Sequence, residues 1–331
     1  MNNFTEATIV CQRNRIVLTK VMPALYTIVF IFGLLLNGLN LWIFCYIPNE
    51  RSFIVYLKNI VIADLLMTLT FPLKILSDAE IGPQLLPIVV CRFSAVIFYL
   101  NMYIGILFLG ILGLDRYYKI MRPMQSSVFQ TVTYSKIISA IVWILMAILT
   151  LPNMILTNRW QPSNGTTKPN CAGLKSKLGI QWHSASNYIS IIIFVFVFVL
   201  LISVYVSISR KIYKSHQRFR RCSDAKRKSR RNIYSILFVF FVCFVPYHVC
   251  RIPYTLSQTG FSYSCQIQNT LLYIKEVTLL MSASNVCLDP VIYFFMCQPF
   301  RKMLFKKLHI QDNIPETEKT DRNSTTLNGI M

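Results

Sequence analysis

Residues 186–209 read SNYISIIIFVFVFVLLISVYVSIS, a run of 24 residues that contains no charged side chain. About 20 consecutive apolar residues are enough for a helix to cross the hydrocarbon core of a bilayer. The next residues, 210–231, read RKIYKSHQRFRRCSDAKRKSRR and carry 11 Lys and Arg residues against one Asp. Short loops with such an excess of positive charge lie on the cytoplasmic side of a membrane. Together the two stretches predict a transmembrane helix that ends in the cytosol.

Similar runs recur along the 331-residue chain, which is 54% hydrophobic and only 14% charged. This balance is too apolar for a soluble or a disordered protein. We predict an all-α membrane protein, a seven-transmembrane helix bundle followed by a short amphipathic eighth helix. The predicted spans are residues 21–46, 53–76, 88–118, 134–156, 186–209, 232–256 and 271–297. The predicted segments are an extracellular tail (1–20), the transmembrane domain (21–297), the amphipathic helix (298–308) and a cytoplasmic tail (309–331).

The basic loop also sets the orientation of the bundle. A cytoplasmic loop after the fifth of seven spans leaves the amino terminus outside the cell and the carboxyl terminus inside. Residues 1–20 lack the apolar segment of a cleavable signal peptide. The glycosylation sequons at Asn3 and Asn164 fall on the predicted outer side, where glycans are added. We predict a multi-pass protein of the plasma membrane with an extracellular amino terminus.

Four of the ten cysteines, Cys11, Cys91, Cys171 and Cys265, fall on the predicted outer side. Disulfides persist in that oxidising compartment, but four cysteines can pair in three ways, and their spacing does not choose among them. The other cysteines lie in the spans or the cytosol and lack the spacing of metal ligands. We expect them to be reduced packing residues and predict no metal site.

Two carboxylates interrupt the apolar runs, Asp64 in the second and Asp289 in the seventh. A charge near the middle of the bilayer costs about 2.5–3.5 kcal/mol on insertion scales, so each needs a partner or a function. One interpretation is a hydrogen-bonded structural network with Asn37 and Asn285. The other is a hinge that responds to a cation, such as a sodium ion near Asp64. No other cofactor is expected.

The inner end of the third run carries Asp115, Arg116 and Tyr117 in sequence. The carboxylate of such a triplet is able to hold the arginine until a partner protein arrives. Prolines in four of the runs remove a backbone donor and bend or hinge their helices. These prolines are Pro72, Pro152, Pro246 and Pro290.

These residues resemble the rhodopsin-like G-protein-coupled receptors, and the resemblance extends over all seven spans. Its motifs are Asn37 in LLLNG, Asp64 in LKNIVIADLL, the Asp115 triplet, Trp143, FVCFVP ending at Pro246, and DPVIY at 289–293. Phe244 takes the place of the usual tryptophan and Asp289 that of an asparagine, as in the nucleotide-receptor branch. The resemblance implies a set of activation residues: Asp64, Asp115, Arg116, Tyr117, Phe244, Pro246, Asp289, Pro290 and Tyr293.

Longer stretches, at 52–78, 243–259 and 273–302, resemble the Gi-coupled purinergic receptors that respond to ADP or to UDP-glucose. The resemblance implies a receptor for an extracellular nucleotide or nucleotide sugar that couples to Gi and lowers cyclic AMP. UDP-glucose is the leading ligand, and ADP or a non-nucleotide ligand are the alternatives. Arrestin and receptor kinases are the implied partners of the cytoplasmic tail. The implied disulfides are Cys91–Cys171 and Cys11–Cys265.

The outer ends of the spans carry cations that favour an anionic ligand even without the resemblance: Lys74, Lys175, Lys177, His183, Arg251 and Lys275. Arg and Lys that converge on a partly desolvated site bind phosphate, Arg through bidentate contacts and Lys as a point charge. Alternatively, Lys74 and Lys275 extend towards the lipid headgroups. Lys175 and Lys177 would then be solvated in the loop that is predicted before the fifth span.

The resemblance also implies roles for individual residues at the outer end. Tyr99 stacks on the base, Arg251 and Lys275 hold the phosphates, and Tyr254 approaches them. Glu276 is expected to pair with a neighbouring cation and is a candidate contact for a sugar hydroxyl. The predicted ligand-binding set is Tyr99, Asn153, Lys175, His183, Asn187, Arg251, Tyr254, Lys275 and Glu276.

Other classes of protein fit this sequence less well. A transporter would show broken helices in two repeated halves. A retinal protein needs a lysine near the middle of the seventh span, where Ala283 and Ser284 stand. An enzyme needs a nucleophile–base pair or a metal cluster. The net charge of +21 lies in short loops and not in a soluble basic domain, which argues against nucleic-acid binding.

Overall fold

The computed structural model describes residues 16–49, 51–121, 131–158, 171, 173–218, 234–258 and 264–308. The regular secondary structure of these residues is helical, and seven of the helices are long and apolar enough to cross a membrane. They are α1 (Val17–Cys45), α2 (Ser52–Asp78), α3 (Leu86–Met121), α4 (Val132–Ile155), α5 (Lys177–Lys211), α6 (Tyr234–Tyr254) and α7 (Gln266–Met296). A shorter helix, α8 (Gln298–Lys307), follows. The predicted seven-helix bundle with an eighth helix is confirmed.

A disulfide between Cys91 and Cys171 joins the first turns of α3 to the segment that precedes α5, with 5.4 Å between the two Cα atoms. We call this end of the bundle the outer end, and the opposite end of α3, near Arg116, the inner end. The structure thus contains the first of the two implied disulfides. Cys11 lies outside the described residues, as do Asn3, Asn164 and the side chain of Cys265. The second disulfide and the glycosylation sites stay predictions.

The fifth span begins earlier than its apolar run predicts, at Lys177 and not at residue 186. The predicted boundary was wrong because hydropathy detects the lipid-facing part of a helix, whereas backbone hydrogen bonding continues into polar sequence. Ser176 caps the first turn, since its Oγ accepts a hydrogen bond from the Gly179 N–H at 3.0 Å. Lys177 and His183, predicted in a loop, are therefore part of α5.

This first turn of α5 packs directly on the end of α4. The Ser176 N–H donates to the Leu156 carbonyl at 3.0 Å, and the Trp182 indole N–H donates to the Leu149 carbonyl at 3.2 Å. A Cβ atom on Gly179 would lie only 2.6 Å from the Leu156 carbonyl oxygen. The close approach of α4 and α5 therefore requires glycine at this position.

Three helices are irregular just ahead of a proline, as predicted. The helical hydrogen bonding of α2 is interrupted before Pro72, and that of α4 before Pro152. In α6 a π-helical turn, Phe240–Phe244, precedes Pro246. A proline removes one N–H and displaces the carbonyl four residues earlier, so the preceding turn must rearrange.

In α7 the interruption lies at Ser284, whereas the helix continues from Asn285 through Pro290. The expected position of this bend was therefore wrong. The Ser284 hydroxyl donates to the Met281 carbonyl at 2.7 Å. A serine that bonds back to its own helix in this way competes with the backbone ladder and bends the helix.

The short helix α8 is anchored to the bundle through Phe300, which is 3% exposed. Its ring lies 5.2 Å from that of Phe44 in α1 and 6.3 Å from that of Tyr293 in α7. The extended backbone of Cys297 separates α7 from α8. The exposed lysines Lys302 and Lys306 lie on the helix face opposite Phe300. The predicted amphipathic character of this helix is confirmed.

We expect Gly179→Ala to lower the thermal unfolding midpoint of the purified protein. The added methyl must push α5 away from α4, and overpacking of this kind costs about 1–3 kcal/mol. Differential scanning fluorimetry in detergent measures the shift. The control is Gly38→Ala in α1, where a new Cβ meets no atom within 4 Å and helix propensity alone favours alanine. Equal shifts in the two variants would contradict the packing explanation.

Candidate functional site

Charged side chains of α2 and α7 meet at the outer end. The Lys74 ammonium lies 2.7 Å from an Asp78 carboxylate oxygen and 3.7 Å from one of Glu276. The Lys275 ammonium donates to the other Glu276 oxygen at 2.6 Å. Lys74 also lies over the ring of Tyr26, 4.9 Å from its centroid. Both lysines thus turn towards carboxylates within the bundle and not towards the lipid headgroups, and Glu276 pairs with cations as predicted.

Arg251 of α6 joins α3 and α5 at the same end. Its Nη2 donates to the Asn187 side-chain oxygen at 2.6 Å. The guanidinium carbon lies 5.1 Å from the ring centroid of Tyr99 and 5.4 Å from that of Tyr247. Such cation–π contacts stabilise a guanidinium in one position. Arg251 is therefore held between aromatic rings of α3 and α6.

Lys175, in the segment before α5, is a buried cation with neutral neighbours. It is 7% exposed, and its ammonium lies 3.4 Å from both the Asn153 side-chain oxygen and the Thr157 hydroxyl. In the described part of the chain no carboxylate forms an ion pair with it. Burial lowers the pKa of Lys175 below its ordinary value. A buried ammonium without a countercharge is unfavourable, and an anionic ligand would compensate for it.

The structure places the nine residues of the predicted ligand-binding set at this outer end, and several of them contact one another. The Lys275 ammonium lies 5.6 Å from the Tyr254 ring centroid. It is also close enough to Tyr99 for the two side chains to interact electrostatically. His183 of α5 lies within electrostatic range of both Lys175 and Arg251. Lys177, by contrast, is exposed in the first turn of α5. This exposure agrees with the alternative interpretation, in which Lys177 is solvated and does not bind an anionic ligand.

Some residues of this cluster had weak signals in the sequence or none. Asp78 is four residues after Lys74, a spacing that places two side chains next to each other on one helix face. The sequence could therefore have predicted this ion pair. Tyr26 and Thr157 had no such signal, because their partners are distant in the chain. They contact Lys74 and Lys175, respectively.

A buried polar pair lies directly beneath the outer cluster. The His248 Nδ1 lies 2.8 Å from the Phe244 carbonyl, to which it donates, so its Nε2 accepts from the Tyr103 hydroxyl at 3.0 Å. The ring of His248 stacks on Phe194, with 3.8 Å between centroids. These contacts connect α3, α5 and α6 just outside the π turn of α6. Tyr103 is 3% exposed and packs in the interior of the bundle.

A second polar network occupies the middle of the bundle. The Asn285 amide lies 3.4 Å from a carboxylate oxygen of both Asp64 and Asp289, and the Tyr293 hydroxyl donates to Asp64 at 3.3 Å. The Asn37 amide donates to the Val286 carbonyl at 2.7 Å. One side-chain oxygen each of Asn37, Asn285 and Asp289 is buried without a partner. Among the described residues no group of three His, Cys, Asp or Glu side chains forms a metal site.

At the inner end, Arg116 is held by its neighbour Asp115 in an ion pair. The Ser52 hydroxyl donates to the other Asp115 oxygen at 2.7 Å, and Arg116 lies 4.5 Å from the Phe53 ring centroid. Arg116 is only 7% exposed. In this conformation the arginine is therefore closed to a partner protein.

We expect Lys175→Met to stabilise the ligand-free protein at neutral pH. Replacing a buried ion by an apolar residue of similar volume contributes about 1 kcal/mol, or roughly 2–4 °C in the unfolding midpoint. The folded-state pKa of Lys175 lies below that of the unfolded chain, so its charge penalises folding at low pH. This penalty disappears as the pH rises towards the ordinary value of 10.5.

Unfolding midpoints of wild type and variant between pH 7 and pH 9.5 test this expectation. The gap between them should narrow as the pH rises. Lys177→Met, which removes an exposed lysine two residues away, should leave the midpoint unchanged. A variant that is less stable than wild type at every pH would show that Lys175 has a compensating partner.

Comparison with known proteins gives a consistent assignment. The profile described as "7 transmembrane receptor (rhodopsin family)" matches residues 36–293, more than half of the chain. Purinoceptor 14 of Bos taurus is 54% identical over 313 residues, which cover 94% of this chain and 92% of that protein. Purinoceptor 13 of Homo sapiens is 43% identical over 301 residues, covering 89% and 83%. G-protein coupled receptor 87 of Mus musculus is 49% identical over 296 residues, covering 88% and 81%. The chain is therefore a multi-pass membrane receptor, not an enzyme, and belongs to the rhodopsin family of seven-transmembrane receptors.

Proposed function

We propose that this receptor lies in the plasma membrane with its amino terminus outside and responds to an extracellular nucleotide or nucleotide sugar. UDP-glucose is the leading candidate, and the receptor couples to Gi and lowers cyclic AMP. The 54% and 43% identity to purinoceptors 14 and 13 supports a nucleotide ligand, since the word purinoceptor denotes a receptor for purine compounds. UDP-glucose carries a pyrimidine base, so its place as the leading candidate rests on the resemblance of residues 52–78, 243–259 and 273–302. The outer cluster of charged residues supplies an independent physical argument.

The observation that carries the proposal is the presence of Lys175, Arg251 and Lys275 at one end of the bundle, with Arg251 and Lys275 beside aromatic rings. A diphosphate offers Lys175 the anionic partner that the described residues do not supply. Arg251 is held by Tyr99 and Tyr247, and the fork of its guanidinium matches the geometry of two phosphate oxygens. Lys275, next to Tyr254, adds a point charge.

The remaining residues of the set suit a base and a sugar. Tyr99 offers an aromatic face on which the base stacks. Asn153, Asn187 and His183 offer donors and acceptors for its edge. Asn187 accepts a hydrogen bond from Arg251 and would exchange that bond for one to the base when phosphate binds Arg251. Glu276 accepts hydrogen bonds and is the candidate contact for the sugar hydroxyls.

Binding would then shift a two-state equilibrium. Phosphates that bridge Arg251 and Lys275 draw the outer ends of α6 and α7 together. The π turn ahead of Pro246, with Phe244, converts this into outward movement of the inner end of α6. Arg116 leaves Asp115 and contacts the G protein, with Tyr117 at the same surface.

The network of Asp64, Asp289 and Tyr293 is part of this proposed switch, with Pro290 in the same helix. Its oxygen atoms have the chemistry that a sodium ion prefers, and the orphaned oxygens of Asn37 and Asn285 fit such a guest. Bound sodium would supply the countercharge for the two carboxylates.

Arrestin and receptor kinases are proposed to act on the cytoplasmic tail, residues 309–331, which lies outside the described residues.

ADP remains the second candidate, because it is a purine nucleotide and the chain is 43% identical to purinoceptor 13 of Homo sapiens. By resemblance, an ADP receptor carries a basic residue at the position of Pro87, and this difference favours a ligand other than ADP. A non-nucleotide ligand is the third candidate.

The test is inhibition of cyclic AMP in cells that express the receptor, challenged separately with UDP-glucose, UDP and ADP. We expect UDP-glucose to act at the lowest concentration, and Arg251→Ala to raise the required concentration at least about tenfold, because one charged hydrogen bond contributes about 1.5–3 kcal/mol. Lys177→Ala removes an exposed cation at the same end and should have little effect. Silence to all three compounds, with the receptor present at the cell surface, would overturn the ligand proposal.

We also expect Ser52→Ala to raise signalling in the absence of ligand. The variant removes the hydrogen bond that orients Asp115 towards Arg116, and about 1 kcal/mol of lost stabilisation raises the active-to-inactive ratio about fivefold. Basal cyclic AMP measures the change. Ser203→Ala is the control, since the hydroxyl of this exposed residue bonds only within α5 to Val199. Unchanged basal signalling in Ser52→Ala would show that Arg116 is restrained by other contacts.

A further inference from the structure

The first turns of α3 include a π-helical turn, Val90–Ser94, that no step of the proposed signalling mechanism uses. A π turn is often found at a functional site. Cys91 in this turn carries the disulfide to the segment before α5. The Ser94 hydroxyl donates to the Thr70 carbonyl of α2 at 3.1 Å. Arg92, between these two residues, reaches a third element, α4.

Arg92 bonds to the outer end of α4. Its Nε donates to the Met154 carbonyl at 3.0 Å, and its guanidinium carbon lies 5.3 Å from the Phe93 ring centroid. Because α4 ends at Ile155, this carbonyl is one of the last in the helix and has no later N–H of the same helix to bond with. A cation is also favourable at the carboxyl end of a helix dipole. Arg92 therefore fixes the last turn of α4 against α3.

The same end of α4 holds Lys175. The Asn153 amide nitrogen donates to the Thr150 carbonyl at 3.2 Å, and the side-chain oxygen of Asn153 lies 3.4 Å from the Lys175 ammonium. The Thr157 hydroxyl donates to the Asn153 backbone carbonyl at 2.7 Å and lies 3.4 Å from the same ammonium. The two oxygen atoms beside Lys175 thus belong to the end of α4 that Arg92 fixes.

The backbone that carries Lys175 is also tied down on both sides. Cys171, four residues earlier, is joined to α3 by the disulfide. The Ser176 N–H, one residue later, donates to the Leu156 carbonyl of the segment after α4 at 3.0 Å. Because the backbone is fixed, the direction of the Lys175 side chain depends on the oxygen atoms that α4 presents to it.

We propose that Arg92 is a positioning residue for Lys175. It keeps the last turn of α4 in the place from which Asn153 and Thr157 direct the Lys175 ammonium towards a phosphate group. Among the described residues, the contacts of Arg92 are to Met154 and Phe93, neither of which belongs to the predicted ligand-binding set. The inference rests on the proposed binding of a nucleotide, although the accessibility of Lys175 can be measured without one.

The first test is the concentration of UDP-glucose that half-inhibits cyclic AMP formation in cells expressing the full-length receptor at equal surface density. Arg92→Leu should raise this concentration about fivefold, as residues without ligand contact do when they support a site. Arg92→Lys keeps a charged donor for the Met154 carbonyl and should restore most of the response. Lys177→Met removes an exposed cation from the same end and should change the response less than about twofold.

Arg92→Lys performing no better than Arg92→Leu would overturn the proposal, because the hydrogen bond would then be irrelevant. An equal loss in Lys177→Met would also overturn it, in favour of a general attraction of the ligand by positive charge.

A double-mutant cycle with Lys175 separates positioning from direct contact. If Arg92 acts through Lys175, Arg92→Leu should weaken the response less than about twofold when it is added to Lys175→Met. Full and independent losses from the two substitutions would show that Arg92 attracts the ligand by its own charge. That result would exclude the positioning role.

A measurement without ligand uses the acetylation of lysines in the purified full-length receptor by N-hydroxysuccinimide acetate, followed by peptide mass spectrometry. Arg92→Leu should accelerate acetylation of Lys175 at least about threefold, because the end of α4 that covers this lysine opens more often. Lys275, which pairs with Glu276 in α7, should keep its rate. Equal acceleration of both lysines would indicate general loosening of the bundle and contradict the proposal.

The two kinds of measurement distinguish this inference from the proposed function. A wild-type receptor that ignores nucleotides, together with selective acceleration at Lys175, would remove the ligand proposal and support the role of Arg92 in holding Lys175. A wild-type response to UDP-glucose, with unchanged acetylation and unchanged response in Arg92→Leu, would overturn the role of Arg92 alone.

Discussion

A backbone N–H or C=O group has no water to bond with inside the hydrocarbon layer, so each must find its partner within the protein. This constraint makes the spans helical, and it also explains where the helices contact one another. At the interruption in α2, the Ser94 hydroxyl of α3 donates to the Thr70 carbonyl at 3.1 Å. At the end of α3, the Lys211 ammonium of α5 donates to the Ile120 and Met121 carbonyls at 3.0 and 2.7 Å. Hydrogen bonds between helices thus form where the backbone carbonyls of one helix have no partner within that helix.

The same constraint applies to charged side chains and separates supporting residues from candidate binding residues. Glu276 compensates for Lys74 and Lys275, so this part of the outer end is stable without a ligand. Lys175 has only neutral oxygen atoms beside it among the described residues. A diphosphate would therefore stabilise the protein most at Lys175, where a cation lacks a countercharge among the described residues, and not where the cations are most numerous.

One helix, α3, takes part in polar contacts at three levels of the bundle. Tyr99 contacts Arg251, Tyr103 contacts His248, and Asp115 holds Arg116. A rearrangement at Arg251 has a continuous route of contacts to the π turn of α6, through Tyr247, His248 and the Phe244 carbonyl. Because packed helices exchange between discrete arrangements and do not deform gradually, such a route is suited to a two-state response.

The sequence by itself determined the number of spans, their predicted orientation and the family, because apolar length and the placement of Lys and Arg are local properties of the chain. It also indicated the cations of the outer end, since Lys and Arg there point to an anion, whereas the resemblance implied the roles of the other residues of the set. Only the tertiary structure decided where α5 begins, because the cap at Ser176 and the contact of Gly179 with Leu156 depend on α4. It alone brought Tyr26 to Lys74, Thr157 to Lys175 and Arg92 to the Met154 carbonyl. These meetings depend on how helices pack, and a periodic pattern along one helix contains no information about the distance to another.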